Sequence, residues 1–111
     1  MRILAIEREM PIPGHSNLAD LLREEARGVW DLTKLGIVRE SWTVSPAGRA
    51  VLMLECTDTA QARQHLAGLP LVRYQLVDFT LMELRNYDGY EQLFGSAVKP
   101  GPDKPEEPPE Y

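Results

Sequence analysis

The chain has one cysteine, Cys56, two histidines and 7% aromatic residues. A single thiol excludes an internal disulfide and fits a reducing compartment. His15 and His65 lie far apart in sequence, and no HxxxH, CxxC or carboxylate cluster has metal-ligand spacing, so no metal is expected. There is no glycine-rich phosphate loop and no GxSxG elbow, which argues against a nucleotide, a flavin or a serine nucleophile. No cofactor is expected. Basic residues are outnumbered, 12 Lys and Arg against 17 Asp and Glu for a net charge of −5, and they form no stripe. Nucleic acid and anionic membranes need a basic footprint, so neither is an expected partner. The first ten residues carry Arg2, Glu7, Arg8 and Glu9 around a short apolar run, unlike a signal peptide or a membrane span. A cytoplasmic location is the expectation.

What is present suits one core: 111 residues, 43% of them hydrophobic. Arg2 to Arg8 reads as a strand, broken by Met10-Pro-Ile-Pro-Gly14. Ser16 or Asn17 is placed to cap a helix running to about Leu35, with apolar residues at helical spacing and Gly36 as a left-handed cap. Ile37 to Val44 and Ala50 to Cys56 read as strands joined by the turn Ser45-Pro-Ala-Gly48, with Pro46 at a corner and Gly48 free to take positive φ. Asp58 and Gln61 resemble a capping box opening a short helix through Gly68, which Pro70 is expected to end. Leu76 to Leu84 is the fourth strand, and Tyr87 to Phe94 adds a helical turn or two. Residues 1–95 form the domain. Residues 96–111 are set apart as a Pro- and Glu-rich tail, of a composition that does not fold alone, with a neighbouring chain as its expected anchor.

This βαββαβ order is that of an α+β split motif, a four-stranded antiparallel sheet with both helices on one face. In the third strand Ala50, Leu52 and Leu54 share one face, and Val51 and Met53 the other. In the fourth, Val77, Phe79 and Leu81 oppose Leu76, Met82 and Leu84. Two helices cover only one face, so the second apolar face calls for a partner sheet and a homodimer or larger homo-oligomer.

Glu25 is the sharpest chemical feature. At about 100° per residue it falls in the same sector of the first helix as Leu18, Leu22, Val29 and Leu32. A carboxylate so placed is ion-paired, with Arg39 as the nearest candidate, or bends out to water, or sits in a pocket with a raised pKa. Asp78 interrupts an apolar strand, either as an edge residue bonded to a neighbour or as a second acid. Trp30, Trp42 and Tyr74 suit a pocket wall or an interface. Arg39 suits a surface ion pair or the binding of a substrate carboxylate or enolate. Met53, and His65 beside the second helix's apolar stripe, complete the candidate contacts.

Glu24-Glu25 in the first helix, Gly36 at its end, Arg39 and Trp42 on the next strand, Leu69-Pro-Leu71 with Tyr74, and Asp78 in the last strand together resemble the muconolactone isomerase family. Thr43 stands where that pattern has a basic residue. The resemblance spans roughly residues 1–85. It implies a ferredoxin-like dimeric α+β barrel that shifts a double bond in a cyclic unsaturated carbonyl compound by proton transfer. In that scheme Glu25 is the base, Arg39 the anion partner and the aromatic residues the wall, with a small-molecule substrate. Two other readings compete: a cofactor-free oxygenase or cyclase acting on a polycyclic substrate, and a non-catalytic binding or assembly module.

Overall fold

Residues 1–10 and 18–94 are described by the structure, a computed structural model. The expected cap at Ser16 or Asn17 and the tail from residue 96 with its expected crossing lie outside the described residues. The elements run β1 (Arg2–Glu9), α1 (Leu18–Lys34), β2 (Val38–Val44), β3 (Arg49–Glu55), α2 (Thr59–Ala67), α3 (Pro70–Arg73) and β4 (Val77–Leu84). A 3-10 turn at Asp88–Tyr90 and a short α4 (Glu91–Phe94) follow. The strands form one antiparallel sheet in the order β2-β3-β1-β4, so the expected fold class stands.

Local chemistry sets the boundaries. Gly36, at φ +80°, closes α1. Its N–H donates to the Thr33 carbonyl and that of Ile37 to the Leu32 carbonyl, satisfying the helix's last acceptors. Gly48, at φ +77°, likewise permits the β2–β3 turn, where its N–H reaches the Val44 carbonyl. Asp58 caps α2 by accepting from the Gln61 N–H at 2.8 Å, and Gln61 reaches back to the Thr57 N–H at 2.9 Å. Asp58→Ala is expected to cost about 1 kcal/mol, read as a lower urea midpoint with an unchanged slope. Pro70 differs from expectation. It ends nothing, but occupies the first position of the separate short helix α3, where its missing N–H is harmless.

Ile3, Ala5, Val38, Leu52, Leu54 and Phe79 turn one face of the sheet inward and form the core with Ala62, Leu66 and Leu69. Leu21, Leu71 and Val77 make a second small cluster where α1 meets α3. The opposite face carries Leu4, Ile6, Val51, Met53 and Met82. Alternation on β2 is interrupted between Val38 and Glu40, where a bulge makes Arg39 the extra residue. Past it, Ser41 and Thr43 pair with the inward-facing Leu52 and Ala50, and Trp42 with the outward-facing Val51.

The sector of α1 expected in the core is only partly there. Val29 and Leu32 pack against the core, whereas Leu18 and Leu22 remain 46% and 51% exposed. The N-terminal half of the helix is anchored through Leu21 instead, and a cleft opens between it and the sheet.

Candidate active-site cleft

The cleft has two lobes. The first, of about 360 Å³, is lined by Glu7, Glu9 and Met10 of β1 and its end, Leu18 and Leu22 of α1, residues 47–49, Leu71, and Leu76 with Val77. The second, of about 630 Å³, lies between Ala26, Val29, Trp30 and Thr33 of α1 and Ser41, Trp42, Thr43, Ala50 and Leu52 of the sheet. Glu7 lines the first lobe and Ala50 the second, and the Ala50 N–H donates to Glu7 Oε1 at 2.7 Å. The β1–β3 pairing stops at Ile6 and Val51, so this side chain takes the place of the next ladder partner. The lobes meet at that bond.

Glu25 stands on α1 between Leu22 of one lobe and Val29 of the other, half-buried. Its Oε1 accepts the Leu71 N–H at 2.9 Å. Leu71 is the second residue of α3, and Leu69 offers no side-chain cap to that helix, so Glu25 supplies an acceptor to an otherwise orphaned first-turn donor. Burial raises the Glu25 pKa above the usual carboxylate range. The Leu71 hydrogen bond opposes the shift, the negative charge of Glu7 adds to it, and Arg73 opposes it. The result is a carboxylate whose proton is held more tightly than a surface glutamate's, with the Glu7 carboxylate near enough to contribute.

The other expected residues do not all gather here. Trp30 lines the second lobe at 57% exposed. Trp42 lines it too, but at the rim: the bulge has turned it to the outward parity, its ring is 64% exposed, and its indole N–H donates to Glu40 Oε1 at 3.2 Å. Arg39 is not the ion partner of Glu25. Its Nε donates to the Gly36 carbonyl at 2.7 Å, and it shares a shallow depression with Arg2, Glu40, Met53 and Glu55. The N-terminal ammonium bonds Glu55 there at 2.5 Å and, as the leading cause, lowers the pKa of that carboxyl. Met53 thus belongs to the outward face. Asp78, between the buried Val77 and Phe79, also points outward and is paired with Arg8 at 3.0 Å and Arg63 at 3.9 Å. Tyr74 caps the C-terminal end of α3, with the Arg73 guanidinium 5.8 Å above its ring, and His65 is half-buried on α2. Neither lines the two lobes.

Glu7 was not singled out in the sequence. Its signal is the alternation Ile3, Ala5, Glu7 along β1, which puts a carboxylate in line with two fully buried side chains. Among the described residues no group of three or more His, Cys, Asp or Glu side chains is arranged to hold a metal, and no helix is long and apolar enough to cross a membrane.

The sheet, its two flanking helices and the cleft between them define a ferredoxin-like α+β domain. Among solved structures, the crystal structure of muconolactone isomerase at 3.3 Å resolution is similar in fold, with a TM-score of 0.67 and 16% identity. The match covers 79% of this chain and 92% of that one. No family model matches the sequence. No curated protein matches it either.

Proposed function

We propose that this chain is a small-molecule enzyme that isomerises a cyclic unsaturated carbonyl compound by proton transfer, working as a homodimer in the cytoplasm without a cofactor. The observation that carries the reading is Glu25: a half-buried carboxylate with a raised pKa on α1, between Leu22 of an acidic lobe and Val29 of an apolar one. Similarity of fold to muconolactone isomerase supports the same class of chemistry. A base matched to neutral pH is what carbon-acid chemistry requires. Glu25 takes a proton from the carbon next to the conjugated system, the C–H electron pair moves into the ring, and the carbonyl oxygen becomes an enolate. Protonated Glu25 exchanges its proton with solvent and delivers one to the far carbon, which completes the shift with no oxidant or reductant consumed. Ser41 and Thr43 bring hydroxyl donors to the lobe where an enolate oxygen would sit.

Isomerisation of unsaturated lactones and cyclic enones in deuterated water, followed by proton NMR, tests this. The expected result is a protein-dependent double-bond shift with deuterium entering at the receiving carbon. Absence of both for every such compound would overturn the reading. A second reading, cofactor-free oxygenation of a polycyclic substrate, is favoured by the size of the second lobe and its Trp30 wall. Oxygen uptake with turnover would select it.

A further inference from the structure

We propose that the cleft selects an uncharged cyclic carbonyl compound and discriminates against analogues that carry a carboxylate. This rests on the cleft being the substrate site, and it concerns what that site admits. Among the described residues, the charged side chains lining it are two acids and one arginine, Arg49. Glu7 and Glu9 line the first lobe, and Glu25 stands between the lobes with Glu7 close enough to raise its pKa. The second lobe has no ionisable lining residue.

Arg49 is the one basic residue lining the cleft among the described residues, set against Glu7 and Glu9. The other neighbouring cations of the described residues are engaged elsewhere. Arg39 is bonded to the Gly36 carbonyl on the far side of the bulge. Arg8 and Arg63 are paired with Asp78. Arg23 and Arg27 line a separate groove with Glu24 and Asp31. Arg73 is near enough to Glu25 to lower its pKa, but its guanidinium stacks over Tyr74. A substrate carboxylate entering the cleft would therefore meet Glu7, Glu9 and Glu25 against a single guanidinium, an excess of like charge. Proton transfer sharpens the difference. With a neutral substrate, Glu25 gives up its charge as the enolate gains one, so the total in the cleft is constant. With a carboxylate-bearing substrate, the enolate would be a dianion beside Glu7.

Isothermal titration calorimetry at low ionic strength and pH 7.5 tests this with two probes, a tetralone methyl ester and the same tetralone as its free carboxylate. The ester is expected to bind on the order of tenfold or more tightly than the carboxylate. Because an ester also gains from its greater apolarity, the decisive readout is the change in that ratio. Glu7→Gln/Glu9→Gln should narrow it several-fold, and raised salt should narrow it in the unaltered protein. Glu9→Gln alone, at an exposed position, serves the same purpose if the double variant does not fold. An unchanged ratio in these variants, equal or tighter binding of the carboxylate, or no binding of the ester at millimolar concentration would each overturn the proposal. Failure here is separable from failure of Glu25 as base. Charge selection without any proton transfer removes the base and keeps the selection, whereas Glu25-dependent deuterium exchange at the α-carbon of the carboxylate probe does the reverse.

Discussion

Replacing Glu25 with glutamine is expected to lower turnover by about 10² to 10⁴-fold, the range that a positioned general base contributes, without unfolding the domain. Glutamine keeps a carbonyl oxygen for the Leu71 N–H, so the cap on α3 survives. What is lost is the ability to accept a proton. The effect on stability has a definite sign. Burial raises the folded-state pKa of Glu25 above its ordinary value of 4.5, so the folded state holds the proton more tightly than the unfolded chain does. The stability contributed by that proton is complete below the unfolded value and is lost as pH rises through the higher folded one. Above that folded value the wild-type protein carries a half-buried charge that the glutamine variant lacks. Glu25→Gln should melt at or above the wild-type temperature at pH 7.5, with the difference shrinking as pH falls through the raised folded value and gone below 4.5. Glu25→Ala removes the acceptor as well and should cost about 1–3 kcal/mol through the Leu71 N–H left behind. Melting curves from pH 3.5 to 8 beside the NMR assay read both effects. Full turnover in a stable Glu25→Gln variant would remove the catalytic role, and a glutamine variant less stable than wild type at every pH would identify the carboxylate as structural.

The fold was legible because its punctuation is local. Gly36 and Gly48 sit where positive φ is needed, and Asp58 with Gln61 caps α2 through bonds between residues three or four apart. The strands announced themselves by alternation. The site was half legible for the converse reason. Glu25 stood out because one helix's spacing places it among leucines, but the depth of the cleft depends on how α1 tilts over the sheet, which Leu21 and Leu71 decide together from distant parts of the chain. Arg39 and Trp42 show the harder case. A single extra residue on β2 flips every later side chain to the other face. That bulge is defined by the register against Leu54 and Met53, information no window around Trp42 contains. Without it Trp42 would share the inward parity of Val38. With it, Ser41 and Thr43 take that place, and the lobe gains hydroxyls in place of a second indole. Glu7 escaped notice because Ile3 to Ile6 reads as unbroken apolar sequence, which hides the period of two that β1 obeys.

Introducing lysine at Ile6 is expected to break the proposed homodimer into folded monomers. Register across the sheet shows why this position is central. On the face away from the helices, one row runs Trp42, Val51, Ile6, Thr80 and the next Glu40, Met53, Leu4, Met82. Leu4, Ile6, Val51 and Met53, on the two inner strands, form a continuous apolar patch at their middle. Charged groups flank it: Arg8 with Asp78 beyond one row, and the N-terminal ammonium with Glu55 beyond the other. An apolar centre inside a charged rim is the anatomy of an interface, and no helix of the described residues covers this face. A two-fold pairing buries each such side chain twice, at roughly 1.5–3 kcal/mol for each large residue fully removed from water. Lysine at the centre would place two ammonium groups in the dry middle of the contact, where neither has a partner. In an isolated monomer the same lysine points into water and costs little. Sedimentation velocity at micromolar concentration should therefore show the wild type as a dimer and Ile6→Lys at half that mass, with matching circular dichroism. Because dissociation is coupled to unfolding, the wild-type melting temperature should rise with protein concentration while that of Ile6→Lys should not. Thr80→Lys, in the same row but on the edge strand β4, should weaken the dimer far less. A wild-type monomer at these concentrations, or an Ile6→Lys variant that remains dimeric, would show that this face is not the interface.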